Sequence, residues 1–187
     1  MKLVFLGPPG AGKGTQAQLL SDSAGIIHIS TGDIFRANVV EETELGLTAK
    51  KYMDAGEYVP DEVTNAMVRD RLGQEDALHG FLLDGYPRTV DQVDELESIL
   101  SDLGQKLDAV ISLSVDSEEL VQRLLDRAKT SGRSDDTEEV IRRRQEVYVE
   151  QTAPLLAIYR ERGLLREVDG MGEIAVVAQR IQEVLPA

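Results

Sequence analysis

Residues 3–15 read Leu3-Val4-Phe5-Leu6-Gly7-Pro8-Pro9-Gly10-Ala11-Gly12-Lys13-Gly14-Thr15, an apolar run followed at once by a glycine-rich turn and a lysine. The run from Leu3 to Leu6 is continuous and not alternating, which suits a strand buried on both faces of a parallel sheet. The turn matches G-x-x-x-x-G-K and then departs, because Gly14 stands where Ser or Thr usually follows the lysine, and Thr15 comes one place later. Glycines let the backbone approach an anion closely, and successive N–H groups with the next helix N-terminus supply positive potential. Lys13 adds a mobile charge for the transferring oxygens. A buried strand before and a helix after are the context this phosphate-binding pattern requires, and they separate it from a chance Gly/Pro turn.

Outward from this stretch, further apolar runs occur at Ile26 to Ile29, Phe81 to Leu83 and Ala109 to Val115, with a weaker one at Leu164 to Val168. Between them lie helical patterns at Thr15 to Ser23, Ile34 to Glu42, Asp61 to Leu72, Val90 to Leu103, Ser117 to Lys129, Thr137 to Arg162 and Glu173 to Val184. Asp116 with Glu119, and Asp136 with Glu139, have the spacing of reciprocal helix-start caps. The alternation predicts an α/β fold, a five-stranded parallel sheet flanked by helices in three layers. Two stretches interrupt it. Residues 30–59 contain no strand and predict a small helical insertion standing off the sheet. Lys129 to Thr137 is polar with Gly132 at its centre and reads as a mobile loop between two helices.

A chain of 187 residues is long enough for one well-buried core and short for two independent domains. Its 42% hydrophobic and 29% charged residues are those of an ordinary globular protein. A formal net charge of −14 argues against broad binding to nucleic acid or to an anionic membrane, so a polyanionic ligand must meet a local basic site. There is no cysteine, which excludes disulfides and thiolate metal sites, and two histidines are too few for an all-imidazole zinc site. His28, inside an apolar run, reads as a hydrogen-bonded core residue. The opening apolar run is too short for a signal peptide or a membrane span, so the expectation is a cytoplasmic protein, and no long heptad argues against a monomer.

In so acidic a chain the arginines are informative. Arg36, Arg88, Arg123, Arg127, Arg133, Arg142, Arg143 and Arg144 fall near expected helix ends or loops, and planar guanidinium forks suit phosphate oxygens. Arg123 and Arg127 share a helix face at i,i+4, whereas Arg142 and Arg144 face apart, so at least one of that trio is a plain surface residue. Asp84 ends the run Phe81 to Leu83 and is the natural carboxylate for Mg²⁺, through water, because that ion keeps much of its hydration shell. No catalytic triad, paired glycosidase carboxylates or metal-hydrolase cluster is visible. None is required when the acceptor is itself an ionised phosphate, because the transfer then needs positioning and charge stabilisation.

These residues together resemble the adenylate kinases over nearly the whole chain. Gly7 to Thr15 is similar to their phosphate loop, with the Gly-Thr after the lysine that marks nucleoside monophosphate kinases within the P-loop NTPase fold. The resemblance implies reversible in-line transfer, ATP + AMP = 2 ADP, an activity that balances adenine nucleotides. It places ATP on Gly10, Ala11, Gly12, Lys13, Gly14 and Thr15. Ser30 to Arg36 resembles the start of the AMP-binding insertion, with Thr31 toward adenine and Arg36 on the AMP phosphate. Gly56 to Asp61 resembles the segment whose backbone, here Glu57, Tyr58 and Val59, lines the adenine pocket. Asp84-Gly85-Tyr86-Pro87-Arg88 with Gln92 is the most diagnostic stretch after the phosphate loop. It implies Gly85, Tyr86, Pro87 and Arg88 around AMP, Arg88 on its phosphate, and Gln92 on the adenine edge. Tyr86 stands where many members have phenylalanine.

In the second half, Arg123 and Arg127 match the pair on the helix leading into the lid. Arg133, Asp135 and Asp136 match the lid signature, and Arg144 matches the arginine of the return helix. Gly172 falls where the backbone meets the ATP adenine. By resemblance Lys13, Arg88, Arg123, Arg133 and Arg144 are catalytic, Arg127 and Gly172 bind ATP, and Arg133 and Arg144 also reach AMP. The implied division is a core of 1–29, 60–125 and 137–187, an AMP-binding insertion of 30–59 and a short lid of 126–136. Longer lids often carry four zinc ligands, and this cysteine-free lid implies none. The nearest rival is a UMP/CMP kinase, disfavoured by Thr31 and Gln92, where those relatives typically carry Ala and Asn. The rival of another class is a P-loop binding module, and the Asn-Lys-x-Asp guanine reader of a GTPase-like switch is absent.

Overall fold

A computed structural model describes residues 1–133 and 136–186. In chain order the elements are β1 (Lys2–Leu6), α1 (Lys13–Ala24), β2 (Ile27–Ser30), α2 (Thr31–Val40), α3 (Glu44–Asp54), α4 (Asp61–Leu72), α5 (Glu75–Leu78) and β3 (Phe81–Asp84). Then come α6 (Val90–Asp102), β4 (Ala109–Ser114), α7 (Ser117–Ser131), α8 (Glu138–Val147), a π-helical turn (Tyr148–Thr152), α9 (Leu155–Glu161), β5 (Leu165–Asp169) and α10 (Ile174–Glu183).

All five strands pair in parallel in the order β2-β3-β1-β4-β5, which puts β1 at the centre. The unbroken apolar run is thereby explained. Val4 and Leu6 face one core with Val68 and Leu72 of α4 and Val93, Leu96 and Ile99 of α6. Leu3 and Phe5 face the other, with Ala17 and Leu20 of α1 and Val177 and Ile181 of α10. Both sides of β1 are fully covered, as a parallel sheet demands. β1 leads through α1 to β2 on one side of the sheet, and its neighbour β4 leads through α7 to α9 to β5 on the other, so the crevice beyond their carboxyl ends lies where the connections diverge, the usual ligand position in such sheets.

Residues 30–59 form α2 and α3 around a small core of their own, Phe35, Ala49 and Val59. The two helices approach so closely that a Cβ on Gly46 would stand 2.0 Å from the carbonyl oxygen of Asn38. No helix among the described residues is long and apolar enough to cross a membrane.

Four local expectations are corrected. The single helix expected from Thr137 to Arg162 is three pieces: Pro154 lacks an N–H and crowds the preceding turn, and the chain answers with a π turn in which Ala153 donates to the carbonyl of Tyr148. The loop expected from Lys129 begins later, because α7 runs on to Ser131 and stops where Gly132 turns left-handed at φ 62°. Asp116 precedes α7 but makes no side-chain cap. Asp136 does not cap α8; Thr137 does, accepting from the N–H of Val140, while Asp136 is buried among arginines.

Candidate active site

The site begins with an uncapped helix. α2, α3, α6 and α8 each start with a Ser or Thr that accepts from a backbone N–H of the first turn. α1 starts on Gly12, with no side-chain cap and no acid in its first turn, so its leading N–H groups are left for an outside anion. Gly10 holds φ 87°, and a Cβ there would come 2.9 Å from the carbonyl oxygen of Leu120, so only glycine fits this turn.

Lys13 lies over the loop, its Nζ donating to the carbonyls of Gly7 at 2.7 Å and Pro8 at 3.0 Å. Loss of solvent pushes its pKa down, Asp84 works against that, and Arg88, Arg144 and Arg127 lower it further, to about 8. Asp84, opposite Phe5 at the end of β3, is 9% exposed. Burial pushes its carboxyl up, but His28, Lys13 and Arg88 overcome this and hold it below the ordinary carboxylate value. His28 is not the satisfied core residue expected: it borders the phosphate-side cavity, its Nε2 stands 3.5 Å from Asp84 Oδ2, and among the described residues that nitrogen makes no hydrogen bond of ordinary geometry.

Two adjoining cavities open here. The phosphate-side cavity is bordered by Gly10, Gly12, Lys13, Gly14, Thr15, Asp84, Arg123, Arg127 and Arg133. Among the described residues its wall carries seven Lys and Arg side chains against the carboxylates Asp33 and Asp84, in a chain whose net charge is −14. The insertion-side cavity is bordered by Thr31, Glu57, Tyr58, Val59, Gly85, Pro87 and Gln92. Lys13, Arg36, Arg88 and Arg144 border both.

Each of these arginines is held in place. The Arg88 Nε donates to the carbonyl of Gly85 at 2.7 Å, and its guanidinium carbon lies 4.9 Å from the centre of the Tyr58 ring. The carbonyl of Arg88 accepts from Thr152 Oγ1 at 2.7 Å, and Tyr58 Oη stands 2.7 Å from that hydroxyl. The π turn thus delivers Thr152 to the site. Arg36 pairs with Asp33 at 2.7 Å, and Arg133 comes within 3.9 Å of the same carboxylate. Arg127 and Arg144 both pair with Asp136, at 2.5 and 3.1 Å, and the Asp136 side chain is wholly buried. Arg123 reaches Glu119 and the carbonyl of Gly170.

Thr31 donates to the carbonyl of Gly85 at 2.9 Å, and Gln92 is 1% exposed with its amide bound at both ends. Three expected residues stand apart from the cavity walls. Tyr86 points into the core, fully buried, its hydroxyl donating to Asn65. The Ala11 methyl packs in the core and its N–H donates to Pro8. Gly172 lies in the turn after β5. Asp135 of the lid signature lies outside the described residues. Arg142 is the surface member of its trio, paired with Glu138.

Arg143, one of the arginines singled out in the sequence, borders neither cavity and instead pairs at 2.6 Å with Glu57, tying α8 to the insertion, a contact that sequence reasoning missed. That reasoning also missed Thr152, Asp61 and Gln145, the last of which donates from Nε2 to the carbonyl of Pro9. Pro154 was the available signal for the π turn, and hence for Thr152. The other contacts join residues too far apart in the chain to leave a local pattern.

A phosphate loop and a helical insertion, facing each other across shared cations, define a P-loop phosphotransferase that brings two ligands together. The family model described as adenylate kinase matches residues 5–164. An adenylate kinase of a Nocardioides species is 62% identical over 185 residues, covering 99% of this chain and 97% of that protein. One from Renibacterium salmoninarum is 64% identical over 180 residues, covering 96% and 93%. One from Thermobifida fusca is 57% identical over 185 residues, covering 99% and 98%. The chain belongs to the adenylate kinase family. Its activity is ATP + AMP = 2 ADP.

Proposed function

We propose that ATP lies on the phosphate loop over the start of α1, that AMP lies in the insertion-side cavity, and that the γ-phosphoryl group passes in line between them. The observation that carries this reading is the row of cations common to both cavities, Lys13, Arg36, Arg88 and Arg144. Charge spreads over the phosphoryl oxygens during transfer, and guanidinium groups already in place stabilise it without reorganising. The AMP phosphate is itself ionised near neutral pH, so no base has to deprotonate it.

On this reading the backbone from Gly10 to Thr15 cradles the ATP phosphates, with Lys13, Arg123 and Arg127 around them and Gly172 near the adenine. Thr31, the backbone of Glu57 to Val59, Gly85, Pro87 and Gln92 surround AMP. Arg36 and Arg88 hold its phosphate, while Arg133 and Arg144 bridge the nucleotides. The working parts are the core of 1–29, 60–125 and 137–187, the insertion of 30–59 and the lid of 126–136. Lid closure over the cations excludes water, which competes with AMP for the phosphoryl group.

Asp84 fits magnesium as it arrives with ATP. A single ionised, largely buried carboxylate beside the phosphate cavity suits an ion that takes one or two carboxylates and keeps phosphates and waters for the rest. Among the described residues no group of three or more metal-ligating side chains stands ready for a resident ion. When bound with ATP, Mg²⁺ neutralises phosphate charge. The chain has no cysteine and hence no thiolate zinc site. The reading includes a monomer working in the cytoplasm, and the net charge of −14 supports its working apart from nucleic acid and anionic membrane.

The experiment is a separate determination of the AMP and ATP constants for Arg88→Ala in a coupled ADP assay. The expected result is a loss of kcat on the order of 10³ with a raised KM for AMP and little change for ATP. Near-normal kinetics would overturn the assignment.

A further inference from the structure

An amide side chain can read an adenine edge only if its two ends are fixed. Oxygen and nitrogen differ little in size, and an amide turned by 180° exchanges donor for acceptor. Gln92 is fixed at both ends. Its Oε1 accepts from the backbone N–H of Arg88 at 2.7 Å, and its Nε2 donates to Asp61 Oδ1 at 2.8 Å. A flipped amide would set N–H against N–H and oxygen against carboxylate, so one orientation survives. Each end retains one further capacity, an N–H and a lone pair, and Gln92 borders the insertion-side cavity.

Asp61 is the side chain that completes this arrangement. It opens α4, and its second oxygen accepts from Thr89 Oγ1 at 2.9 Å. The same hydroxyl accepts from the N–H of Gln92 at 3.2 Å as the cap of α6. The carboxylate therefore holds both the backbone start and the amide tip of the reading residue.

We propose that Asp61 is a positioning residue for acceptor specificity, fixing the donor and acceptor ends of Gln92 so that the pocket takes the 6-amino purine edge and refuses the 6-oxo edge. The inference rests on the reading of the insertion-side cavity as the AMP site. Adenine presents an acceptor at N1 and a donor at its 6-amino group. Hypoxanthine presents the reverse, an N1–H donor and a 6-oxo acceptor, and would match the flipped amide. IMP is therefore the probe that reports orientation, apart from any general loss of packing.

The test compares kcat/KM for AMP and IMP in the whole enzyme, with the KM for ATP measured alongside. Asp61→Ala is expected to lower the AMP:IMP ratio by roughly tenfold, the effect of one lost orienting hydrogen bond to a charged group, and to leave the KM for ATP unchanged. Asp61→Asn still offers an oxygen to Gln92 and should keep the ratio within about twofold. Should Asp61→Ala fail to fold, Asp61→Ser, too short to hold both partners, carries the same expectation.

In a Gln92→Ala background, Asp61→Ala should change the ratio no further. An unaltered AMP:IMP ratio in a folded Asp61→Ala or Asp61→Ser enzyme would overturn the proposal, even with a lower rate. If Gln92→Ala itself leaves AMP kinetics and the ratio intact, the reading of the cavity fails instead, so the two failures are distinct.

Discussion

Arg88 and Tyr58 are stacked, the guanidinium carbon 4.9 Å from the ring centre, although one belongs to the core and the other to the insertion. The ring holds the guanidinium that we propose for the AMP phosphate, and the Tyr58 hydroxyl ties the insertion to Thr152. Tyr58→Leu is expected to raise the KM for AMP by roughly 3- to 10-fold, the worth of a partly desolvated cation–π contact, with the KM for ATP unchanged. Tyr58→Phe, which keeps the ring, should fall between. Steady-state kinetics with each nucleotide varied in turn check this, and equal effects on both constants would count against it.

Asp136 stands between Arg127 and Arg144 and pairs with both. Burial pushes its carboxyl up, but its hydrogen bond to Arg127 and the charges of Arg127, Arg144 and Arg133 prevail and hold it below 3.8. A carboxyl depressed in the folded state contributes stability that is whole above its unfolded pKa and drains away as pH falls through the folded one. Asp136→Ala should therefore cost about 1–3 kcal/mol in urea unfolding at pH 7, and the difference from the parent should shrink below about pH 4.

Lys13 titrates near 8 in the folded protein against 10.5 ordinarily. Between these values the unfolded chain binds the proton and the folded one does not, so stability attributable to Lys13 rises with pH across that window and is flat below it. Phosphates brought to the loop favour the charged form. ATP binding at pH 8.5 should take up part of a proton, seen by calorimetry in buffers of different ionisation enthalpy, and take up little through Lys13 at pH 6.5. Binding with no buffer dependence at pH 8.5 would contradict this.

Gly46 is where α2 and α3 touch through backbone. Gly46→Ala must push them apart, at a cost of about 1–3 kcal/mol or more as for overpacked cores. Faster hydrogen exchange confined to 30–59, and a higher KM for AMP with that for ATP kept, are the expected outcomes.

How much of this was legible in the sequence depends on how far apart the interacting residues lie. The strands, the phosphate loop and the insertion are local patterns, and Leu3 to Leu6 alone implied a strand covered on both sides. The ion pair of Glu57 with Arg143 joins residues 86 apart in the chain, and no periodicity announces it. Asp136 misled for the opposite reason. Its spacing to Glu139 has the form of a helix cap, but two arginines outbid the backbone N–H for its carboxylate. His28 sits in an apolar run, opposite Leu82 and two residues short of the end of β2, yet its imidazole reaches along the sheet face to Asp84, two residues beyond Leu82, at the edge of the phosphate-side cavity.

The most direct measurement is an acceptor screen with ATP and Mg²⁺, comparing kcat/KM for AMP, UMP, CMP and GMP on the unmodified enzyme and on Gln92→Ala. The account expects AMP to be preferred by the parent and that preference to narrow in the variant. UMP or CMP outperforming AMP on the parent, or a preference for AMP untouched by loss of Gln92, would contradict it.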